Sequence, residues 1–589
     1  MSYNEGRFHI PASSNLRPFH LFPARGFTRA IELCYRKEEL PMSKMPFVLL
    51  LSALLTACPS APIVIEPPPS TESPRAFVPR AIGAADTTIT LKGQNFDVKS
   101  ASIDGVPATV LEQSATTLKL KLLKALGVGD FRLELTNTNG KSFSSQNGIN
   151  AVAATSSSDE IDPDRLVLTL KKPLSSDLTA KLRTAGFVLE QPDPPQIAGG
   201  TGLCSQVIVT LKLASSRSVE DALNALAELL GPELNQGEFE PNPFVIERGP
   251  DASSSATLEQ AALSPRALVV TPDYSKLNLR VAVLDTGVSK HAAFSYSDGT
   301  RLLQNVVDFA GGRNFTLEGI GSDVRDLRTG YATDPYISNV GHGTGVAAAI
   351  AAPGSAPGST TGIVYPGIAP KVSILPIKVC DSKGACNTPS LVAGICYAAS
   401  LANVSTKPVK VLNFSIGGKT PNRLLYLALK DAAERGISVV VSAGNKALSN
   451  NPVIFPAAYA SDYSPSYPAI PGLIAVGSVY SNDGPFVPST FSSYGPWVTV
   501  SAEGEFQYLP NSSDLDAKNT YGSFTGTSFA APQVAGMVVK IKAQRPVWTP
   551  AEIKDFLVQT AVTVPNCLNN RCGAGRVNFS NLPVVPTSK

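Results

Sequence analysis

Arg280-Val-Ala-Val-Leu-Asp-Thr-Gly287 places four apolar residues in a row, then an acid, a hydroxyl residue and a glycine. An unbroken apolar run has no polar face, so it reads as a β-strand buried on both sides, with the chain turning at Asp285. The same kind of run recurs at Val372-Ser-Ile-Leu375, Val409–Phe414, Ile437–Ser442 and Ile474–Val479, with helical segments between. Buried strands alternating with helices predict an α/β fold over 276–582, a parallel sheet with helices on both faces. Ligands of such sheets gather at the carboxyl ends of the strands. The residues suited to chemistry fall at those ends.

Asp285 closes the first strand, where an acid taken alone is a turn former. His342 lies in Gly341-His-Gly-Thr-Gly-Val-Ala347 and opens a helix of small residues. Of the four histidines, two precede residue 42, and His291, in the loop after Asp285, reads as structural. Ser528 lies in Gly526-Thr-Ser-Phe-Ala-Ala-Pro-Gln-Val-Ala-Gly536 and in isolation is a helix N-cap. A helix start also offers free backbone N–H groups and a positive dipole end, which suit an anion formed on an attacked carbonyl. Pro532 is close enough to that start to be tolerated. Asn445 ends Val439-Val-Val-Ser-Ala-Gly-Asn445, either as a loop residue or as an amide donor to the same anion. Leu412-Asn-Phe-Ser-Ile-Gly-Gly418 ends in a glycine pair, either an ordinary turn or a wall for extended peptide.

Taken jointly, Asp, His and Ser in that chain order, with an asparagine between His and Ser, resemble the subtilase family of serine proteases. The likeness spans about 276–580 and includes Gly573-Ala-Gly-Arg-Val-Asn578. It implies a serine endopeptidase acting on polypeptides, with Ser528 as nucleophile, His342 as base and Asp285 orienting the imidazole. It further implies an oxyanion hole of Asn445 and the Ser528 backbone N–H. Substrate-binding walls would be Ser415, Ile416 and Gly417 on one side and Ser442, Ala443 and Gly444 on the other. The chemistry needs no cofactor. Structural calcium is common in the family, but no compact Asp-rich loop identifies ligands for it here. The chain departs from the family at Gly345, where many members carry a second histidine, and insertions are expected around 300–338 and 446–472. Specificity is therefore not carried over.

Upstream, Met42-Ser-Lys-Met-Pro leads into Phe47-Val-Leu-Leu-Leu-Ser-Ala-Leu-Leu55 and Thr56-Ala-Cys58. A lysine, a short apolar core and small residues make a signal peptide over 42–58. The run is too short for a stable membrane span. Its ending resembles the lipobox of bacterial lipoproteins, implying lipidation of Cys58 and a cell-envelope location, or secretion if Cys58 stays unmodified. Residues 1–41 read as an over-extended start. A Pro-rich tether follows over 59–76, then short alternating strands over 77–152 that predict a small β-sandwich. Gly93-Gln-Asn-Phe96, Ile103-Asp-Gly-Val-Pro-Ala-Thr-Val110 and Leu135-Thr-Asn-Thr-Asn-Gly140 make it resemble an IPT/TIG-type immunoglobulin-like domain. Over 160–248 the order strand, helix, strand, strand, helix, strand predicts a ferredoxin-like α+β domain, with helices at Ser175–Ala185 and Val219–Leu230. Before a protease domain it resembles the inhibitory propeptide of subtilases, which implies a partner in cis. Residues 249–275 form the linker, with maturation cleavage expected in its Ser- and Ala-rich part.

Export makes cysteine pairing relevant. Cys567 and Cys572 are close enough to staple a loop, and Cys380 and Cys386 flank a turn, while Cys204 and Cys396 read as isolated buried thiols. The net charge of +3, with no basic run, gives no nucleic-acid footprint. Two rival functions stand beside the protease: a non-catalytic surface-binding or adhesion lipoprotein on a protease-like scaffold, and an enzyme that processes only itself.

Overall fold

The computed structural model describes residues 74–580 except 78–81, 84–87, 125–128, 145–148, 153–164, 171–172, 191–201, 214–228, 230–238, 244–245, 249–272, 298–302, 317–320, 326–340, 355–365, 382–383, 420, 464–466, 482–483 and 513–518. The expected start, signal segment with Cys58 and most of the tether lie outside the described residues. So do nearly all of the helix expected at Val219–Leu230 and of the 249–275 linker.

The first described part alternates buried and exposed residues, and that period of two sorts its side chains onto one apolar face. Its strands are β1 (Arg75–Phe77), β2 (Ile82–Gly83), β3 (Thr88–Gln94), β4 (Val98–Ile103), β5 (Val106–Gln113), β6 (Thr117–Leu122), β7 (Gly129–Phe131), β8 (Leu133–Asn137), β9 (Ser142–Ser144) and β10 (Ile149–Val152). They form an antiparallel sheet in the order β1-β3-β6-β5-β4-β8-β9 and a smaller one in the order β2-β10-β7. Ile89, Leu91, Leu118, Leu120, Leu133 and Leu135 are almost wholly buried together. Asp104 and Gly105, both at positive φ, make the two-residue turn between β4 and β5.

Next come β11 (Arg165–Leu170), α1 (Ser176–Thr184), β12 (Phe187–Glu190), β13 (Val207–Leu213) and β14 (Phe239–Pro243). The strands pair antiparallel in the order β12-β13-β11-β14. Ser175 caps α1 by accepting the Leu178 N–H. A single 3-10 turn, Leu203–Ser205, precedes β13, and β15 (Ile246–Arg248) follows β14.

The largest sheet begins at β16 (Arg280–Asp285). Further along come β17 (Ser295–Ser297), β18 (Leu303–Asn305), β19 (Arg313–Asn314), α2 (His342–Ala351), β20 (Ser373–Lys378), β21 (Ala385–Asn387), α3 (Thr388–Ser400), β22 (Val409–Phe414), α4 (Arg423–Glu434), β23 (Ser438–Ser442) and β24 (Ile474–Tyr480). The chain closes with β25 (Val487–Pro488), β26 (Val500–Glu503), β27 (Gln507–Ser512), β28 (Asn519–Phe524), α5 (Thr527–Gln544) and α6 (Pro550–Gln559). The sheet runs β19-β20-β16-β22-β23-β24-β25, with β26 also on β24, and is parallel except at β25. The apolar run of β16 divides between the two faces. Ala282 and Leu284 join the core under α3 and α4, and Val281 and Val283 join the core under α2 and α5. An unbroken apolar strand is therefore what this position demands.

Cys380 is bonded to Cys386 and Cys567 to Cys572. Cys204 and Cys396, expected as separate thiols, are bonded to each other. The 3-10 turn lays Cys204 against α3 and α4, and Cys396 lies on α3 with no exposed surface. Packing of one part of the chain on another makes this pair, and no local spacing announces it.

Candidate active site

β16 has β20 on one side and β22 on the other, so the crevice at its carboxyl end opens where the connections diverge. Asp285 is delivered there and is 1% exposed. Its Oδ1 accepts from Thr286 N at 2.8 Å, from Thr286 Oγ1 at 3.2 Å and from His342 Nδ1 at 2.7 Å. With Nδ1–H donating to a carboxylate, His342 keeps Nε2 as its basic nitrogen. The imidazole is the first residue of α2, whose next N–H, that of Gly343, donates to Thr286 Oγ1 at 3.1 Å. Gly343 must be glycine: a Cβ there would lie 3.0 Å from the Asp285 Cβ and run into the Gly287 carbonyl.

Ser528 is the second residue of α5 and is 3% exposed. Its Oγ donates to the Ser415 carbonyl at 3.3 Å, and Ser415 Oγ donates to the Ser528 carbonyl at 2.9 Å. The second bond has a helical cause. Proline has no N–H, so Pro532 leaves the carbonyl four residues earlier, that of Ser528, without its helical donor. Ser415 supplies one, and is itself held by Asn413 Nδ2 at 3.0 Å.

Asn445, just past β23, has its amide orientation fixed. Its Oδ1 accepts from Thr527 N at 2.9 Å and from Thr527 Oγ1 at 2.8 Å, which reserves Nδ2 for donation. A Cβ on Gly526 (φ 152°) would sit 3.2 Å from Asn445 Nδ2 and 3.7 Å from Ser528 N. Both donor nitrogens therefore lie beside this glycine, where a larger residue would crowd Asn445 Nδ2. Ser528 N–H, in the first turn of α5, has no partner within its own helix.

Of the expected walls, Ser415, Ile416, Ser442 and Ala443 are buried. Gly417 and Gly444 meet a common neighbour: a Cβ on either would touch the Ile454 side chain, at 2.8 Å and 2.7 Å respectively. Gly418 and Phe455 exchange backbone hydrogen bonds at 2.8 Å, tying the segment after Asn445 to this wall. Among the described residues, no group of three or more His, Cys, Asp or Glu is placed to hold a metal, so no calcium ligand is assigned.

Residues 277–575 match the Subtilase family, just over half of the chain. This chain belongs to the subtilase family. It is 32% identical over 294 residues to Subtilisin NAT of Bacillus subtilis subsp. natto, covering 50% of this chain and 63% of that protein. The chain thus spans less than two thirds of the first curated relatives' length. Against Subtilisin of Bacillus pumilus it is 32% identical over 289 residues, covering 49% of this chain and 85% of the relative. The solved structure of fervidolysin from Fervidobacterium pennivorans, a keratinolytic enzyme related to subtilisin, aligns over 73% of this chain and 62% of its own, at 21% identity and a TM-score of 0.49.

Within the subtilase domain, two features escape a reading of the sequence. Phe529, next to Ser528, packs edge-on to the His342 ring at 5.2 Å and against Phe524 at 4.9 Å. A Cβ on Gly345 would lie 3.3 Å from Phe529 Cε1 and 3.6 Å from Phe524, so this pair fills the space a histidine at 345 would need. Ile454 is the other, an aliphatic residue whose place between two glycines only the fold reveals. His291 is buried, as a structural histidine should be. Its Nδ1 accepts the Ala293 N–H at 3.0 Å, and its ring meets Tyr521 edge-on.

Proposed function

We propose that this chain is an exported serine endopeptidase that hydrolyses peptide bonds in proteins through an acyl-enzyme on Ser528. What carries the reading is the coupling around α5: an imidazole fixed by Asp285, and an asparagine amide fixed by Thr527 beside the Ser528 N–H. In the reaction, Ser528 Oγ leaves the Ser415 carbonyl and attacks the scissile carbonyl carbon while its proton passes to His342 Nε2. Asp285 holds the imidazolium that results. Asn445 Nδ2 and Ser528 N–H take the charge developing on the oxygen. His342 then protonates the leaving amine, and water repeats the sequence on the ester. Ser415 to Gly417 and Ser442 to Gly444 flank the extended substrate, with Ile454 at the base between them.

The 160–248 part is proposed as an inhibitory propeptide. Its strand order β12-β13-β11-β14 and its antiparallel pairing fit a ferredoxin-like domain. β15 lies antiparallel on β21, with Ile246 opposite Asn387 and Arg248 opposite Ala385, in the manner of a peptide added to a strand edge. The 77–152 part is proposed as an IPT/TIG-like spacer, and Cys58 as a lipid anchor in the cell envelope. No helix among the described residues is long and apolar enough to cross a membrane.

The test is digestion of an unfolded protein such as casein by the matured chain and by Ser528→Ala. Release of peptides by the natural chain alone is expected. Cutting of its own linker without digestion of casein, in a Cys396→Ser chain as well as in the natural one, would leave self-processing only, and no cutting at all would leave the scaffold reading.

A further inference from the structure

We infer that the 160–248 part stays covalently attached to the subtilase domain after the linker is cut, through the Cys204–Cys396 disulfide. The inference rests on the reading of 160–248 as a propeptide and goes beyond it, because a released inhibitor needs no bond to its enzyme.

The bond lies at the centre of an interface. Val167, Leu203 and Ile208 belong to the same apolar cluster as Leu391, Leu424 and Leu425 of α3 and α4. Beside the sulfurs, the Cys204 N–H donates to Asp431 Oδ2 at 3.0 Å, and Arg435 Nε holds the other carboxylate oxygen at 2.9 Å. Asp431 is 5% exposed, and a Cβ on Gly202 would run into its carboxylate, so the turn is fitted to this partner. Cys204 and Cys396 are 1% and 0% exposed. Their separation of 192 residues encloses the whole linker, so a cut anywhere in 249–275 leaves both pieces on one disulfide.

Cleavage of the linker alone then does not free the module. Release requires the S–S bond to be broken by two electrons and two protons from a dithiol, which itself becomes a disulfide, leaving thiols at Cys204 and Cys396. Everything N-terminal to the cut, including the proposed anchor at Cys58, remains tied to the subtilase domain. This gives an N-terminal anchor a use after maturation.

The test is a full-length Ser528→Ala chain with a site-specific protease sequence inserted between residues 255 and 256. After cutting, the protein is denatured with and without dithiothreitol and run on a gel. One band without reductant and two with it are expected, and Cys396→Ser should give two bands in both lanes. Two bands without reductant in the chain with natural cysteines would overturn the inference. Should Cys396→Ser not fold, non-reducing peptide mapping of the natural chain decides: a linked peptide containing Cys204 and Cys396 supports the bond, and free or otherwise paired cysteines refute it. A parallel pair with Ser528 intact separates this result from the inhibitor reading. Peptidase activity at least tenfold lower in the tied, cut chain than in cut and diluted Cys396→Ser supports both. Equal activity with a single unreduced band keeps the bond and removes the inhibitor.

Discussion

Asn445 donates nothing useful to an oxyanion unless its amide faces the right way, and Thr527 decides that by taking Oδ1 with two hydrogen bonds. Asn445→Ala should therefore lower kcat by about 10²–10³ with KM little changed, since the lost bond is made to the transition state. A large rise in KM at constant kcat would place Asn445 in ground-state binding instead. Gly345 gives a second prediction. Because Phe529 and Phe524 occupy the space beyond it, Gly345→His should displace Phe529 from His342 and lower both stability and kcat/KM. Adding Phe529→Ala should recover part of the loss, a coupling on the order of 1 kcal/mol or more in a double-mutant cycle. Simple additivity would show the two sites to be independent. Asp285, His342 and Ser528 are legible in the sequence because each sits among small residues and glycines that local sterics require. Phe529 is not legible, since an aromatic residue beside a serine has no meaning until the fold sets it against position 345.

Among the elements, α5 shows how a residue unfavourable in a helix interior is accommodated. Pro532 removes the donor for the Ser528 carbonyl, and Ser415 Oγ replaces it from the end of β22. Ser415→Ala would leave that carbonyl buried without a donor, at a cost of roughly 1–3 kcal/mol. Urea unfolding of Ser415→Ala in a Ser528→Ala background should show it, and an unchanged midpoint would mean the carbonyl has another partner. The strands of the parallel sheet are readable from their apolar runs, as β16 illustrates by feeding both cores. Short strands such as β19 and β21 are not, because two or three residues cannot display a period.

At the scale of the molecule, Lys410, Lys540, Lys542 and Lys554 each donate to a backbone carbonyl, and burial lowers the pKa of each from 10.5. Between the lowered folded value and 10.5 the unfolded chain holds more protons, so stability rises with pH there. Tyr274, Tyr426 and Tyr521, raised above 10.0 by burial, act in the opposite sense only beyond that pH. The melting temperature of Ser528→Ala should climb as the pH is raised towards 10, less steeply once Lys542→Met and Lys554→Met are added. A flat or falling curve in the parent would contradict this. The bond from Cys204 to Cys396 also belongs to this scale, and in the chain-entropy view a loop of 192 residues is worth about 5 kcal/mol. The sequence hides it because cysteine spacing is informative only within a loop, and this pair is made by docking. Everything rests on Ser528 being a nucleophile activated by His342. The most direct measurement is labelling of the matured chain by a fluorophosphonate, followed by mapping of the modified residue. The label is expected on Ser528 of the natural protein and absent from Ser528→Ala and His342→Ala. Absence of label at Ser528 in both the matured natural chain and its Cys396→Ser counterpart, or a His342→Ala chain labelled as fast as the parent, would contradict the account.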